Sequence, residues 1–484
     1  MTVWLINLLG TENRMKNMNA TINAEELNAQ EAQALIQKQR DFFESGQTQS
    51  ADFRIEMLKK YKEVVQKYDQ AISDALYADF QKSAFEAYAS ETGLVLDEIG
   101  YTLDNLRKWI EPEKVSTPLA ILPGASYIYP KPYGVTFIIG AWNYPFQLTM
   151  MPLVGAIAAG NTAIVKPSEL SPCTSAVMKQ IIEEAFPEEY IAVVEGGADS
   201  TQAVLAHPLD YIFFTGSTRV GKIIAKAAAE YLTPTTLELG GKSPCVVHED
   251  AQAHYAAKRI VWGKFLNGGQ TCVAPDFLVV HENIKDDLIF EMRQHLRGFY
   301  GHNPQESPDY PRIITEKHLQ RLVRFLNNGK VIAGGKYDLS DRYLAPTLLD
   351  EISWDSPIMQ EEIFGPILPI ITYKDFDALL RRLRSQPSPL SAYLFTEKSK
   401  YQEQFIDHLE FGGGCINDTV THLVNPNLPF GGVGNSGSGA YHGKFSFDTF
   451  SHKKSIHKKT TWVDVPLRYP PYEGKLGLVK QVIK

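Results

Sequence analysis

The chain has 484 residues, of which 44% are hydrophobic and 21% charged, with a net charge of −8. A chain of this length and composition buries more than one hydrophobic core, which excludes a disordered chain and a small disulfide scaffold. The acidic balance excludes nucleic acid as an expected partner, because the field of the protein repels phosphate.

The four cysteines are scattered, with neither a CxxC pair nor a cysteine–histidine spacing typical of metal ligands. We therefore predict no disulfide framework, no metal site and a reducing, cytoplasmic location. No apolar run reaches the ~20 residues of a membrane-spanning helix, so we predict no such segment. The polar residues 475–484 leave open a surface-lying helix with weak peripheral membrane association.

Residues 24–111 are predicted to be helical. Leu58, Tyr61, Val65, Tyr68 and Ile72 fall on one helix face, as expected of helices that pack against a core. A segment rich in proline and tyrosine, 118–132, then breaks the helices, and its residues 126–129 predict an extended arm.

From residue 133, short apolar strands alternate with helices. The predicted strands lie at 135–139, 163–165, 191–194, 211–214 and 236–239. Ser171 is expected to cap the helix that follows the second strand, with Pro172 at its first position. A second set, with strands at 245–247 and 277–280, begins at Pro244. The predicted fold class is α/β, with a Rossmann-like parallel sheet and a second α/β domain.

Three glycine-rich segments resemble phosphate-binding motifs, but only one has the right context. Residues 432–437 spell GxGxxG without a preceding strand, and 240–243 end like a Walker A loop that has Thr236 in place of its first glycine. Residues 216–221, in contrast, end a predicted strand and open a helix, which suits a diphosphate, although an ordinary strand-to-helix turn uses the same residues.

Three further residues have the chemistry and the position of catalytic groups. Cys272 ends a glycine loop that leaves a sulfur accessible, although a buried, inert cysteine is the alternative. Glu238 ends an apolar strand, where burial raises the pKa of a carboxyl group towards that of a general base; an ion-paired structural glutamate fits equally well. Asn143 follows the first strand and is placed either to donate to an oxyanion or to cap a helix.

Six motifs in one order resemble the aldehyde dehydrogenase superfamily, and further segments are similar to its class 3 branch, which includes fatty aldehyde dehydrogenases. The six are Trp142-Asn143-Tyr144-Pro145, Lys166-Pro167-Ser168-Glu169, Phe214-Thr215-Gly216-Ser217-Thr218, Glu238-Leu239-Gly240-Gly241-Lys242, Gly269-Gln270-Thr271-Cys272 and Glu361-Glu362-Ile363-Phe364-Gly365-Pro366. The class 3 segments are Cys272-Val273-Ala274-Pro275-Asp276, 428–437 and Arg468-Tyr469-Pro470-Pro471. Many class 3 relatives have a cysteine where this chain has Gly268.

The resemblance implies that Cys272 is the nucleophile, forming a thiohemiacetal and then a thioester. It implies that Asn143 and the Cys272 backbone N–H hold the oxyanion and that Glu238 activates the hydrolytic water. It also implies NAD or NADP as the cofactor. The implied cofactor-binding residues are Lys166, Glu169, Thr215, Gly216, Ser217, Gly221, Leu239, Glu362 and Phe364.

The resemblance also implies a domain division and a homodimer. Residues 24–121 and 133–239 form the dinucleotide-binding domain, and residues 240–428 form the catalytic domain. Residues 122–132 and 429–484 form a small β arm for oligomerisation and a C-terminal segment. Residues 1–23 are unassigned, with disorder as one interpretation.

An apolar aldehyde is the expected substrate. If the segment after Asn143 is helical, Tyr144, Leu148 and Met151 share one face, which the resemblance puts on the substrate channel. Such a wall suits a medium- or long-chain, aromatic or polyene aldehyde, and ordinary core packing is the alternative. Two other functions stay open: a cofactor-independent thiol hydrolase or esterase, which would need a histidine base, and a non-enzymatic binding protein on the same fold.

Overall fold

The computed structural model describes residues 26–482, so the expectations for residues 1–23 lie outside it. The N-terminal part is helical, and Leu58, Tyr61, Val65 and Ile72 are fully buried, as their common face predicts. The helices are α1 (Ala29–Glu44), α2 (Ala51–Lys67), α3 (Asp69–Phe80), α4 (Ala84–Ala87) and α5 (Gly93–Trp109). A π-helical turn, Tyr88–Thr92, joins the last two.

A six-stranded sheet follows, and its five parallel strands are those predicted from the apolar runs. The strands are β3 (Val135–Ile139), β4 (Thr162–Lys166), β5 (Ile191–Val193), β6 (Tyr211–Thr215) and β7 (Thr235–Glu238). The helices that connect them are α6 (Pro145–Ala159), α7 (Pro172–Ala185), α8 (Ala198–Leu205) and α9 (Thr218–Glu230). The order β7-β6-β3-β4-β5 changes direction at β3, which makes the carboxyl end of β3 a topological switch point.

A seven-stranded sheet forms the second half, with the order β10-β13-β14-β9-β8-β15-β16. All its pairings are parallel except that of β10 with β13. The strands are β8 (Pro244–Val247), β9 (Phe277–His281), β10 (Lys330–Ala333), β13 (Thr347–Asp350), β14 (Ile367–Tyr373), β15 (Ser391–Phe395) and β16 (Gly413–Ile416), and a separate hairpin joins β11 (Tyr337–Asp338) to β12 (Tyr343–Leu344). Its helices are α10 (Ala253–Phe265), α11 (Lys285–Tyr300), α12 (Glu316–Phe325), α13 (Phe376–Arg384) and α14 (Ser399–His408).

The predicted arm is a strand, β2 (Gly124–Pro132), at the centre of a three-stranded antiparallel sheet. Its neighbours are β1 (Glu113–Val115) and β18 (Ser451–Lys459). Two short strands pair outside the regions to which they were predicted to belong. β1, in the predicted dinucleotide-binding domain, is part of the arm sheet. β17 (Gly437–Ser438), in the predicted C-terminal segment, pairs with β7 in the first sheet. The remaining helices are α15 (Lys444–Thr449) and α16 (Leu476–Val482). Within residues 26–482, no helix combines the length and apolarity needed to cross a bilayer.

The N-terminus of α7 is capped differently from the prediction. Ser171 precedes the helix and Pro172 opens it, but the Ser171 side chain makes no capping hydrogen bond. The carboxylate of Asp79, at the end of α3, accepts from the backbone N–H groups of Cys173 (3.2 Å) and Thr174 (2.9 Å) instead. A carboxylate there also complements the positive end of the helix dipole. Asp79 therefore ties the helical N-terminal part to the first sheet.

A buried ion pair supports the start of α6. Lys82 Nζ lies 2.5 Å from Glu91 Oε1, and neither side chain is exposed. The other Glu91 oxygen accepts from the backbone N–H of Phe146 (2.9 Å). Because an unpaired ion in the interior is strongly unfavourable, this pair fixes α4 and the π-helical turn against the segment that contains Asn143.

Lys82→Met is expected to lower the free energy of unfolding by about 3–5 kcal/mol, because it leaves the Glu91 carboxylate buried without its cation. Urea unfolding at neutral pH measures the loss. Lys67→Ala is the matched control, since Lys67 and its partner Glu184 lie at the surface and such a pair contributes less than about 1 kcal/mol. Equal losses in the two variants would contradict the role given to the buried pair.

Candidate active site

The predicted site residues collect at the carboxyl ends of adjacent parallel strands. Lys166 is the last residue of β4, Thr215 of β6 and Glu238 of β7, while the loop to Asn143 leaves the end of β3. Thr215 and Glu238 are direct neighbours in the β6–β7 register. In open α/β sheets this edge, at the switch point, is where ligands bind. Continuous apolar strands thus bring together residues that are up to 95 positions apart in the sequence.

Cys272 lies in a loop with a tightly constrained backbone. Asn267, Gly268 and Gly269 all have positive φ (53°, 60° and 72°). A Cβ atom on Gly269 would lie 2.4 Å from the carbonyl oxygen of Gly365, so this position requires glycine. The amide of Gln270 fastens the loop by donating to the Arg312 carbonyl (3.1 Å) and accepting from the Ile314 N–H (2.9 Å).

Asn143 is nearly fully buried and contacts this loop directly. Its Nδ2 donates to the carbonyl oxygen of Gln270 (3.1 Å), and its own carbonyl accepts from Asn267 Nδ2 (2.7 Å). Asn143 does not cap α6; the residue at that position is Tyr144, whose hydroxyl lies 2.7 Å from Thr271 Oγ1. An amide nitrogen has two hydrogens, so Asn143 keeps one donor for an oxyanion while the other fixes its orientation.

Burial raises the pKa of both Cys272 and Glu238. The Cys272 thiol, which reaches the cavity described below, has its pKa raised to about 12 by burial and by the charges of Glu362 and Glu238. Burial raises the pKa of Glu238 well above its usual value, and neither of its carboxyl oxygens has a hydrogen-bond partner. A carboxyl group in such a position is suited to accept a proton near neutral pH.

The edge of the first sheet has the features of a nucleotide site. Thr215 Oγ1 is buried without a hydrogen-bond partner, and Ser217 caps the N-terminus of α9, which aims its free N–H groups at this edge. A Cβ on Gly216 would lie 2.5 Å from the Phe214 ring, and one on Gly221 would lie 2.6 Å from Leu239. The backbone is therefore close-packed where a diphosphate would approach.

Lys166 and Glu169 lie beside each other at the end of β4. Lys166 Nζ is 3.4 Å from Glu169 Oε2 and donates to the carbonyl of Pro167 (3.0 Å). The Lys166 side chain is buried and that of Glu169 is about half exposed. The Lys166 ammonium group donates hydrogen bonds and the Glu169 carboxylate accepts them. A ribose hydroxyl group can both accept and donate, so the two side chains together suit a ribose.

Glu362 and Phe364 approach from the second sheet. The Glu362 carboxylate lies so close to Gly240 that a Cβ there would be 2.3 Å from its oxygen. Burial and the charge of Asp276 raise the pKa of Glu362 to about 8, although the Gly241 N–H opposes the shift. Phe364, with φ 51°, packs edge-on against Trp142 at 5.2 Å. Phe364 therefore borders the loop that contains Asn143, and Glu362 borders the segment after Glu238.

Cys272 lines a cavity of about 380 Å³ whose lining is largely apolar. Tyr144 and Leu148 line it, but Met151 does not; the residue of α6 that joins them is Gln147. The Met151 sulfur accepts from Gln147 Nε2 (2.9 Å) behind the wall. The three predicted channel residues therefore do not all face the cavity, because α6 turns Met151 towards the core.

Glu86 is a site residue that the sequence analysis missed. It lines the cavity, and its Oε1 accepts from the backbone N–H of Asn267 (2.8 Å), a residue 181 positions away. Burial raises the pKa of Glu86 to about 7, while the charge of Lys82 opposes the shift. No local signal marks this contact, since the two residues lie far apart in the sequence.

The fold and the site together define a class of protein. A cysteine thiol lines an apolar cavity, and a buried carboxyl group whose charge acts on that thiol ends a strand at the nucleotide-type edge of a parallel sheet. Such an arrangement is typical of a dehydrogenase that binds a nucleotide cofactor.

The comparisons with known proteins identify the family. The sequence profile of the aldehyde dehydrogenase family matches residues 12–456. The 4,4'-diaponeurosporen-aldehyde dehydrogenase of Staphylococcus aureus is 51% identical, over 92% of this chain and 97% of that protein. The dimeric NADP-preferring aldehyde dehydrogenase of Mus musculus is 42% identical (92% and 98%), and aldehyde dehydrogenase family 3 member A2 of Pongo abelii is 41% identical (93% and 94%). A solved structure of Staphylococcus aureus AldH, in a substrate-bound state, superposes with a TM-score of 0.92 at 50% identity, covering 93% and 99% of the two chains.

The chain therefore belongs to the aldehyde dehydrogenase family. The predicted resemblance, including its class 3-like branch, is confirmed, as is the α/β fold class. The protein is an enzyme that oxidises aldehydes to acids with NAD or NADP. The identities of its catalytic, cofactor-binding and channel residues stay predictions.

Proposed function

We propose that the enzyme oxidises a bulky apolar aldehyde through a covalent intermediate on Cys272. The observation that carries this proposal is the apolar cavity that Cys272 lines. Cys272 reacts as its thiolate, after its thiol proton has passed to solvent. The sulfur attacks the aldehyde carbon, and the electron pair of the C=O double bond moves to the oxygen, which becomes an oxyanion that accepts hydrogen bonds from Asn143 Nδ2 and the Cys272 N–H. Each donor contributes about 3 kcal/mol to the transition state in sites of this kind.

Glu238 acts after the oxidation step. Loss of hydride from the former aldehyde carbon leaves a thioester on Cys272, which water hydrolyses to the free acid. The Glu238 carboxylate takes the proton from that water, a role supported by its raised pKa and by the lack of any partner for its oxygens. Because Glu238 activates water, the expected product is the free acid.

The first sheet and Glu362 would hold the dinucleotide. Lys166 and Glu169 would bind the adenosine ribose. The turn that contains Thr215, Gly216, Ser217 and Gly221 would bind the diphosphate, beside Leu239. Glu362 and Phe364 would bind the nicotinamide half. When bound, the oxidised nicotinamide supplies the hydride acceptor. The orphaned Thr215 hydroxyl and the close-packed glycines support this fit.

A cofactor-independent thiol hydrolase is less well supported. Such an enzyme needs a histidine that accepts the proton of its cysteine. Within residues 26–482, no histidine lies within hydrogen-bond distance of the Cys272 sulfur, and the imidazole of His248 is paired with Asp250 (2.7 Å).

The substrate proposal rests on the cavity wall, and a steady-state panel of short, long-chain, aromatic and polyene aldehydes with both cofactors tests it. The long-chain or polyene aldehydes are expected to have the highest kcat/KM. In the same panel, Leu148→Trp should raise the KM of the bulky aldehydes at least about tenfold while leaving a short aldehyde nearly unaffected, because the indole fills the cavity. Leu153→Met, on the same helix but outside the cavity, is the control. A preference for short aldehydes in the unmodified enzyme would reject the proposal.

Glu169→Gln is expected to shift cofactor choice towards NADP by about fivefold in the ratio of KM values. The Glu169 carboxylate repels a 2′-phosphate, and because this carboxylate is about half exposed, water screens the repulsion to about 1 kcal/mol. Lys166, which attracts the phosphate, stays in place. KM values for NAD and NADP measure the shift, with Glu183→Gln as a control for loss of one charge on this half of the molecule. An unchanged ratio would remove Glu169 from the adenosine site.

We also infer a homodimer that uses the arm sheet. β18 is an outer strand of that sheet, and most of its side chains are exposed. An exposed strand edge readily pairs with another chain, and one relative is named as dimeric. Sedimentation equilibrium tests this inference, and a monomer at micromolar concentration would reject it.

A further inference from the structure

Three possible metal ligands meet on the outer side of the second domain, away from the cavity. His254 lies near the start of α10, and Glu291 and His295 lie one turn apart on α11, which packs against α10. One ligand atom from each residue lies within 4.8 Å of the other two. The sequence analysis assigned no metal ligand, because no spacing pattern connects His254 with residues 37 and 41 positions later.

The distances suit a small ion with few ligands. His254 Nδ1 lies 2.9 Å from Glu291 Oε2, and His295 Nε2 lies 4.0 Å from the same oxygen. Donors around a tetrahedral Zn²⁺ lie about 3.3 Å apart. Movements of under 1 Å would therefore bring both of these donor–donor distances to the tetrahedral value. The His254 side chain is 60% exposed and is free to make such a movement.

His295 provides an independent indication of a missing ligand. Its Nε2 is buried and has no hydrogen-bond partner, an unfavourable state for a polar atom. Burial and the charge of His254 lower the pKa of His295, and the charge of Glu291 opposes this shift. The charge of Lys258 also lowers this pKa, and this cation opposes the binding of a metal.

We propose that His254, Glu291 and His295 bind a divalent transition-metal ion, Zn²⁺ in particular, which clamps α10 to α11. Two imidazole nitrogens and one carboxylate oxygen form a donor set that Zn²⁺ accepts, whereas Mg²⁺ and Ca²⁺ prefer oxygen donors alone. The three side chains leave a fourth position for water.

The clamp would act on the walls of the substrate cavity. Trp262, near the end of α10, and Phe299 and Tyr300, at the end of α11, all line the cavity. The rings of His295 and Phe299, one helical turn apart, lie 5.8 Å from each other. An ion that fixes His295 therefore restricts the wall residue next to it.

Binding of Co²⁺ and Zn²⁺ to the chelator-treated full chain tests the proposal. Cys272→Ser serves as the background, so that the active-site thiol does not compete. We expect one ion per chain, with the visible d–d absorption of four-coordinate Co²⁺ and without a thiolate charge-transfer band. His254→Ala, Glu291→Gln and His295→Ala should each weaken Zn²⁺ binding at least about tenfold, since even the loss of an outer-shell partner has an effect of about 10- to 100-fold.

His302→Ala, which removes an exposed histidine just beyond α11, is the matched control and should bind Zn²⁺ as the background does. Zn²⁺ should also raise the thermal midpoint of the background protein, but not that of its His295→Ala variant, because an ion that binds the folded state stabilises it. Absence of saturable binding, or binding that all three variants leave intact, overturns the proposal. So does a thiolate band, since it would indicate the Cys415 and His422 pair, whose sulfur and nitrogen are 3.5 Å apart.

One consequence of the clamp rests on the proposed function. In the enzyme with its native Cys272, saturating Zn²⁺ should change the KM of a bulky aldehyde at least about twofold, and His295→Ala should abolish this change. Stoichiometric Co²⁺ binding in a protein that oxidises no aldehyde would refute the proposed function and leave the metal site standing. Aldehyde oxidation by a protein that binds no metal would refute the metal site and leave the proposed function standing.

Discussion

Replacement of Cys272 by serine should reduce aldehyde oxidation by at least about 10⁴-fold, because Cys272 carries the one thiol among the described residues that line the cavity. Loss of a nucleophile in a comparable covalent site has an effect of about 10⁶-fold on kcat. NADH formation at saturating aldehyde measures the change, and far-UV circular dichroism verifies that the variant is folded.

Cys173→Ser is the matched control for this experiment. Cys173 is buried at the start of α7, where its backbone N–H donates to Asp79, and it does not line the cavity. The control should retain activity within about twofold. A Cys272→Ser variant with substantial activity would show that the covalent route through this sulfur is wrong.

Glu238→Gln should release about one equivalent of NADH per active site in a burst and then turn over about 10²- to 10⁴-fold more slowly, the range attributed to a general base. Glutamine fills the same space but cannot accept the proton of water, so the thioester accumulates on Cys272. Stopped-flow NADH absorbance separates the burst from the steady state.

The pH dependence gives a second measure of the same role. The pKa of Glu238 is raised by burial, and the base must be ionised, so the hydrolysis rate of the unmodified enzyme should rise with pH through this raised pKa. That limb should vanish in Glu238→Gln. Ionisation of Glu238 has the opposite effect on the stability of the fold. Between pH 4.5, the usual pKa of a glutamate, and the raised pKa of Glu238, the folded protein keeps a proton that the unfolded chain has lost. The contribution of Glu238 to the free energy of unfolding therefore falls as the pH rises through this range. An unchanged steady-state rate in the variant would exclude Glu238 as the base.

The strand ends could be predicted from the sequence because they depend on local patterns. Continuous apolar runs mark buried parallel strands, and the polar residues that terminate them must lie at one edge of the sheet. Glu238 is predicted in this way, whereas Lys166 and Thr215 are implied only by the family resemblance. The glycine loop before Cys272 was also visible, although the positive φ of Asn267 was not, because asparagine occurs in many other conformations.

The contacts made by buried acids could not be predicted. Asp79, Glu86 and Glu91 come from the N-terminal helices and accept from backbone N–H groups of α7, the Cys272 loop and α6. In the sequence each resembles an ordinary helix-surface acid, and only the tertiary fold brings it to its partner. The same reason explains two differences from the predictions. Asp79 takes the capping role expected of Ser171, and tertiary packing turns Met151 on α6 away from the cavity.

The two carboxyl groups near Cys272 also bear on how the reaction ends. The product acid becomes an anion at a point where Glu238 and Glu362 both raise the pKa of the sulfur by their negative charge. Like charges repel in such a setting, whereas the uncharged aldehyde meets no such opposition. Burial raises the pKa of both groups, so they carry this charge only at higher pH. Their repulsion of the acid should therefore grow with pH, and inhibition of the enzyme by its own product should weaken as the pH rises.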